Sequence, residues 1–332
     1  MSYFSALNMQ TLCERLCQPK KTLIIYHARP DADAIGSAFA LRELFRMMDI
    51  PAFCACADEV PDRLRSLTDG VQGSVLLEEG IGLDHERVIS VDSASPSQLG
   101  ELYTRLNRNI DLMIDHHGMG TTYADYYVDP EASATGEILY EIAKELVRLG
   151  KISEIPPRVI HCVYAAICSD TGCFRFANAT PRTFRCVAEL LERGAEQVEI
   201  NRRLFESKTF KQVKAEGEAA NRLVLHDGGR IASVTFPYSS KFSLSLRDEH
   251  LETIIDIPRS VAGVEVAFSV RQPEDEPFFR VSMRSSSEFD VSAVCALFGG
   301  GGHVRAAGCS LEAKNIREAE ETILKAVRER MQ

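Results

Sequence analysis

Thr22-Leu-Ile-Ile-Tyr26 runs directly into His27-Ala-Arg-Pro-Asp31-Ala-Asp33-Ala-Ile-Gly36-Ser37. The first stretch is a short apolar run rich in strand formers. From Ala34 to Met48 the apolar residues Ile35, Phe39, Leu41, Leu44, Phe45 and Met48 fall at helical spacing. A strand, a polar turn stiffened by Pro30, and a helix make the opening of an α/β unit.

The same texture recurs downstream. Apolar runs at Ala52 to Ala57, Val88 to Val91 and Leu112 to Ile114 each end in polar or acidic residues, and helical patterns occupy Thr135 to Leu149, Pro157 to Ser169 and Pro181 to Arg193. Alternation of this kind predicts a doubly wound, mostly parallel sheet with helices on both faces. Ligands of such a sheet collect outside the carboxyl ends of its strands, where Asp92 and Asp115 fall. The charged stretch Glu196 to Glu218 reads as a helical connector, because it lacks the Gly/Ser content of a flexible linker.

Beyond Asp227-Gly-Gly229 the pattern becomes β-rich, with strands expected at Ile231 to Phe236, Val264 to Val270 and Phe279 to Met283. Helices are expected at Val291 to Phe298 and Ile316 to Arg328, around a glycine run at Gly299 to Gly302. The expected organisation is an α/β domain over 1–195, a connector over 196–225 and a smaller α+β domain over 226–332, with a cleft between the domains. A length of 332 residues suits two cores better than one.

Bulk composition narrows the function. A hydrophobic share of 45% and a charged share of 26% are those of an ordinary globular protein. The net charge of −10 disfavours a protein that coats long nucleic acid, since that binding neutralises phosphates with Lys and Arg. It leaves room for a small phosphorylated substrate, because bound metal can reverse the field inside one site. The ten cysteines lie mostly in apolar runs and read as reduced, buried small hydrophobes. With no secretory signal and no apolar run of membrane-spanning length, the expected location is the cytoplasm.

The chemistry lies in side chains that these elements would gather. His27, Asp31 and Asp33 share one turn, Asp92 ends a strand, Asp115-His116-His117 ends another, and Asp170 closes a helix. Each alone could be a solvated turn residue or a cap. Six of these are the ligand candidates, Asp31, Asp33, Asp92 and Asp170 with His27 and His116, and such a set without Cys suits hard or borderline divalent ions: Mn²⁺ first, with Mg²⁺ and Co²⁺ as alternatives. That is more than one ion needs. A carboxylate bridging two ions is the usual arrangement for in-line attack on phosphate.

His27-x3-Asp31-x-Asp33, Val91-Asp92, Asp115-His116-His117 and Ser169-Asp170-Thr171-Gly172, in that order, resemble the four motifs of the DHH phosphoesterase superfamily. The resemblance implies that His27, Asp31 and Asp92 hold one ion while Asp33, Asp92, His116 and Asp170 hold the other. It further implies that His117 faces the substrate and that Asp115 orients a ligand or His117. In the second half, Val281-Ser-Met-Arg284-Ser285 and Phe298-Gly-Gly-Gly-Gly302-His303 with Ala306-Ala-Gly308 resemble the DHH-associated C-terminal domain. Arg284, Ser285, Gly301, Gly302 and His303 are its expected substrate contacts.

At this length and with these two halves, the chain is similar to the NrnA-type nanoRNases that also act on 3′-phosphoadenosine 5′-phosphate (pAp). The implied substrates are short RNA or DNA, linear dinucleotides and pAp, with a homodimer left open. Rival readings are a RecJ-like single-strand DNA exonuclease and a non-catalytic nucleotide sensor. A haloacid-dehalogenase-type Asp31/Asp33 pair would leave His27, His116 and His117 without a role, and the glycine run before His303 disfavours an inorganic pyrophosphatase.

Overall fold

A computed structural model describes residues 4–68 and 84–331. Contacts divide the chain into two units, Met1–Ser207 and Lys208–Gln332. The division falls inside the stretch read as a connector, whose residues are shared between the units.

The first unit comprises α1 (Met9–Leu16), β1 (Thr22–Ile25), α2 (Ala32–Met47), β2 (Ala52–Ala55), β3 (Arg87–Val91), α3 (Glu101–Arg105), β4 (Leu112–Asp115), β5 (Asp125–Val128), α4 (Thr135–Arg148), α5 (Pro157–Asp170), α6 (Pro181–Glu192) and α7 (Gln197–Asn201). Its sheet has the order β2-β1-β3-β4-β5, and every strand pairing is parallel. The chain reverses its direction of winding between β1 and β3, which opens a crevice at the carboxyl ends of those strands.

The inner strands β1, β3 and β4 are buried on both faces, which is why they read as continuous apolar runs. Ile24, Tyr26, Ile89, Val91, Leu112 and Ile114 point into the larger core with α1, α2, α4 and α5. Leu23, Ile25, Val88 and Met113 point the other way, against Leu99, Leu102 and Leu106. α2 is buried without interruption from Ala32 to Leu41, so it lies between layers rather than on the surface. Gly36 sits in its interior, where a Cβ would come within 2.6 Å of the Cys162 carbonyl oxygen on α5.

The helix expected from Ala34 starts two residues earlier, because Asp31 caps it. Asp31 Oδ1 accepts the backbone N–H groups of Asp33 and Ala34, each at 3.0 Å. α4, α5 and α6 each end within one residue of the expected position. β5 was not foreseen, since Asp125-Tyr-Tyr-Val128 is only half-buried and carries no apolar run.

The second unit comprises α8 (Phe210–Asn221), β6 (Leu223–His226), β7 (Ile231–Phe236), α9 (Tyr238–Ser243), α10 (Asp256–Arg259), β8 (Val266–Arg271), β9 (Phe278–Ser285), α11 (Val291–Ala296), β10 (Gly301–His303), β11 (Ala306–Glu312) and α12 (Ile316–Arg328). The sheet order is β10-β11-β9-β8-β7-β6, antiparallel except for β7 with β8. Phe268, Val270, Phe279, Val281 and Met283 pack on Val291, Val294, Ile323 and Val327 of α11 and α12.

The glycine run does two jobs. Gly299, at φ 69°, turns the chain out of α11, and Gly301-Gly302-His303 then forms the edge strand β10. At Gly302 a Cβ would press on the Ala306 carbonyl and Ala307 of the paired strand. Among the described residues no disulfide links any cysteine, and no helix is long and apolar enough to cross a membrane.

Candidate metal centre

The polar turn after β1, the ends of β3 and β4, and the terminus of α5 converge on one place in the first unit. His27, Asp31 and Asp92 form one group of ligand-capable atoms, and Asp33, His116 and Asp170 form a second, each gathered within 4.8 Å. Asp92 is buried and has one oxygen toward each group. Its Oδ2 lies 3.5 Å from His27 Nε2, and its Oδ1 lies 3.7 Å from His116 Nε2. His27 Nε2 is also 3.7 Å from Asp31 Oδ1, while His116 Nε2 is 3.8 Å from Asp33 Oδ2 and 3.3 Å from Asp170 Oδ2.

Both of these imidazoles are oriented by their other nitrogen. His27 Nδ1 is 2.8 Å from the Ala28 carbonyl oxygen and His116 Nδ1 is 3.3 Å from that of Ala132. A proton on Nδ1 in each ring presents the Nε2 lone pair to the carboxylate pocket.

His117 is arranged differently. Its Nδ1 is 2.7 Å from Asp115 Oδ1, the same oxygen that accepts the backbone N–H groups of His116 at 2.8 Å and His117 at 3.2 Å. Asp115, itself buried, therefore fixes both the loop and the ring. A grouping of Asp92 with His116 and His117 also exists. The His117 atom near Asp92 is Nδ1, at 3.8 Å, and that atom is engaged by Asp115.

The charge balance of this pocket suits cations. Burial, and then the charges of Asp92, Asp170 and Asp31, hold the Asp33 carboxyl well above the usual carboxylate range. Burial, and then Asp31 and Asp92, do the same to Asp170. Asp170 also ends α5, where the helix dipole disfavours negative charge. Burial would lower the His27 imidazole, but the Asp31 and Asp92 carboxylates outweigh it and push it up to about 11. A bare pocket that draws protons onto its ligands is one in which divalent ions can replace those protons. The donors, hard oxygens with two imidazoles, fit such ions.

Asp33 carries a feature that has no mark in the sequence. Its Oδ2 accepts the N–H of Thr135 at 2.7 Å, and its Oδ1 accepts the N–H of Gly136 and the Ser37 hydroxyl, both at 2.9 Å. The N-terminus of α4 thus cradles the carboxylate. Thr135-Gly136 reads in the sequence only as a helix start, since any residue can supply backbone amides.

The expected substrate contacts lie in the second unit. Arg284 is half-buried on β9, on the face opposite Met283, and its Nη1 donates to the Met283 carbonyl at 2.9 Å. Ser285 is buried, and its hydroxyl is tied to Ser287 through the Ser287 carbonyl at 3.1 Å and N–H at 3.2 Å. Gly301 and Gly302 are exposed on the edge strand. The side chain of His303 lies outside what the structure describes.

Residues 21–167 match the DHH family N-terminal domain, and residues 235–332 match the DHHA1 domain. The chain is 29% identical over 313 residues to the bifunctional oligoribonuclease and PAP phosphatase NrnA of Thermus thermophilus, covering 93% of this chain and 89% of that one. It is 27% identical to the protein of the same name from Bacillus subtilis, covering 96% and 99%. In fold it is similar to an exopolyphosphatase-related protein from Bacteroides fragilis, with TM-score 0.88, 20% identity, and coverage of 99% and 98%. RecJ of Thermus thermophilus, solved in complex with Mn²⁺, is more distant. Its TM-score is 0.56 at 13% identity, with coverage of 96% of this chain and 54% of that one.

Proposed function

The chain belongs to the DHH family, joining a DHH N-terminal domain to a DHHA1 domain, and from that premise we propose a two-metal phosphoesterase that cleaves short oligonucleotides to mononucleotides and pAp to AMP. The relatives named for these two activities match nearly the whole chain. A RecJ-like exonuclease is the weaker reading, because that likeness is one of fold alone.

The observation that carries the metal assignment is the division of Asp92 between two imidazoles, Oδ2 toward His27 and Oδ1 toward His116. In this reading His27, Asp31 and Asp92 hold one ion, and Asp33, Asp92, His116 and Asp170 hold the other, with Mn²⁺ the first choice. Bound there, a pair of divalent ions supplies Lewis-acid polarisation of a phosphoryl oxygen and neutralises developing charge.

The protein's own groups do the rest. His117 is the residue we assign to the substrate. Burial disfavours its charged form, but the hydrogen bond and charge of Asp115, with Asp92 and Asp170, outweigh burial and push the ring up to about 9. Asp115 holds Nδ1 of His117, and in this reading the ring faces the substrate and stabilises charge on the phosphoryl group. Arg284 and the β10 edge bind the nucleotide itself, through a guanidinium and bare backbone amides.

The test is turnover on a dinucleotide and on pAp after removal of metal with chelator, with Mn²⁺ then restored. Both activities should vanish and return. Undiminished turnover in excess EDTA after exhaustive dialysis would overturn the metal reading.

A further inference from the structure

We propose that Thr135, in the first turn of α4, is a positioning residue that orients the carboxylate shared between the two ion positions. The inference rests on the metal reading above. Thr135 is fully buried and is bonded to two of the carboxylates assigned to one ion. Its hydroxyl donates to Asp92 Oδ1 at 3.0 Å, while its N–H donates to Asp33 Oδ2 at 2.7 Å.

The hydroxyl is placed on the Asp92 oxygen nearer His116, not on the one nearer His27. The torsion that turns a carboxylate about its Cβ–Cγ bond is soft, so a donor fixed on one oxygen determines where both oxygens point. Asp92 would need that restraint more than most ligands, because on the metal reading it would be shared between two ions.

Thr135 is itself held firmly. Branching at Cβ restricts its χ1. The residues before it are pinned by the buried Glu137, whose Oε2 accepts the Ser133 N–H at 3.1 Å and the Ser133 hydroxyl at 2.6 Å. Arg182 Nε pairs with the other Glu137 oxygen at 2.8 Å. Gly136 continues the turn, and a Cβ there would overlap that of Ala166 on α5.

Two effects of the hydroxyl oppose each other. Donation drains charge from Oδ1, which weakens its hold on a cation, and orientation strengthens that hold. Removing partners of this kind usually costs ten- to a hundredfold in metal affinity, so orientation wins.

Thr135→Val keeps the shape and backbone N–H but deletes the hydroxyl, and Thr135→Ser keeps the hydroxyl but deletes the methyl. Mn²⁺ is titrated calorimetrically into the metal-stripped native protein and both variants. Spin coupling between paired ions is read by electron paramagnetic resonance, and the Mn²⁺-induced rise in Tm is measured against each protein's own metal-free form.

Thr135→Val should retain one ion near native affinity, weaken the second about ten- to a hundredfold, and lose the coupled signal and part of the Tm rise. Thr135→Ser should behave as native within about threefold. Two ions bound with native affinity by Thr135→Val, or equal damage in Thr135→Ser, overturn this inference while leaving the metal reading intact. A native protein that takes up no Mn²⁺ overturns both.

Discussion

Asp92 combines the two most demanding features of the site. Its backbone is left-handed, at φ 51°, a region that Asp tolerates better than most residues but which still costs free energy. That turn follows β3 directly and points the carboxylate between His27 and His116. Asp92→Asn keeps the backbone preference and removes the charge, so it should lower the affinity for both ions by more than about tenfold. On the proposed roles, in which His117 would stabilise charge rather than hold an ion, His117→Ala should leave metal content near native and lower kcat. Metal analysis of the two purified variants, set beside kcat, checks the division of roles. The raised carboxyls of Asp33 and Asp170 give a second expectation. A carboxyl whose pKa is raised keeps its proton to higher pH, and metal must displace that proton, so Mn²⁺ affinity should rise with pH, with net proton release. Calorimetry in two buffers of different ionisation enthalpy measures this directly, and pH-independent binding would contradict it. The same raised values set the sign for the metal-free fold, since protonation favours the folded state where burial has raised a carboxyl above its unfolded value. Those two groups therefore stabilise the bare protein on acidification and destabilise it as pH rises through their folded pKa.

Close helix packing places these residues. α2, α4 and α5 meet at Gly36, Gly136 and Ala166, where side chains larger than those present would collide. This contact brings the first turns of α2 and α4, with Asp33 and Thr135, against the last turn of α5, with Asp170. In an exposed helix, Gly136→Ala would add up to about 1 kcal/mol of stability. Here the new methyl overlaps Ala166, and overpacking costs about 1–3 kcal/mol, so the net change should be destabilising. Denaturant unfolding of the metal-free protein gives the sign, and Mn²⁺ titration should show weakened binding as α4 is displaced from Asp33. The sequence made much of this architecture legible. β1, α2, β3, β4, α4 and α5 announce themselves because each is an apolar run or a helical apolar pattern with clear ends, and the metal-ligand candidates stand at those ends. What it left unread has physical reasons. β5 is half-buried and opens on Asp125; α9, α10 and the 3-10 segment between them are short and follow tertiary packing. β10 is almost all glycine, so no periodicity could mark it as a strand. The cradle around Asp33 consists of backbone amides, which every residue but proline carries.

The molecule divides into two units, each with its own core, and the assigned chemistry divides with them. Hydrolysis belongs to the first unit, while Arg284 and the β10 edge belong to the second. A small chromogenic phosphoester needs only the metal pocket, so Arg284→Ala or His303→Ala should leave its turnover close to native. Di- and trinucleotides carry a base and phosphate that a guanidinium or a bare amide edge can hold. For them, losing one charge-assisted contact made equally in ground and transition states should raise KM by about ten- to a hundredfold with kcat little changed. Guanidinium and amide contacts recognise phosphate and stack on bases without distinguishing base identity strongly, so the preference should be for length rather than sequence. Net charge sets the direction of that preference. With a formal charge of −10, the surface repels a long polyanion more than a short one, and within a Debye length of about 10 Å at 0.1 M salt this repulsion acts on every phosphate near the protein. Efficiency should therefore fall from dinucleotide to trinucleotide to pentanucleotide to a strand of about twenty residues, and the fall should shrink as salt screens the charges. Measuring kcat/KM on that series at low and high salt, for the native protein and both variants, separates the two causes. Salt should flatten the part of the length dependence that comes from repulsion, and the variants should remove the part that comes from recognition. A length profile flat at low salt, or one that neither salt nor Arg284→Ala changes, would show that neither the acidic surface nor the second unit selects the substrate.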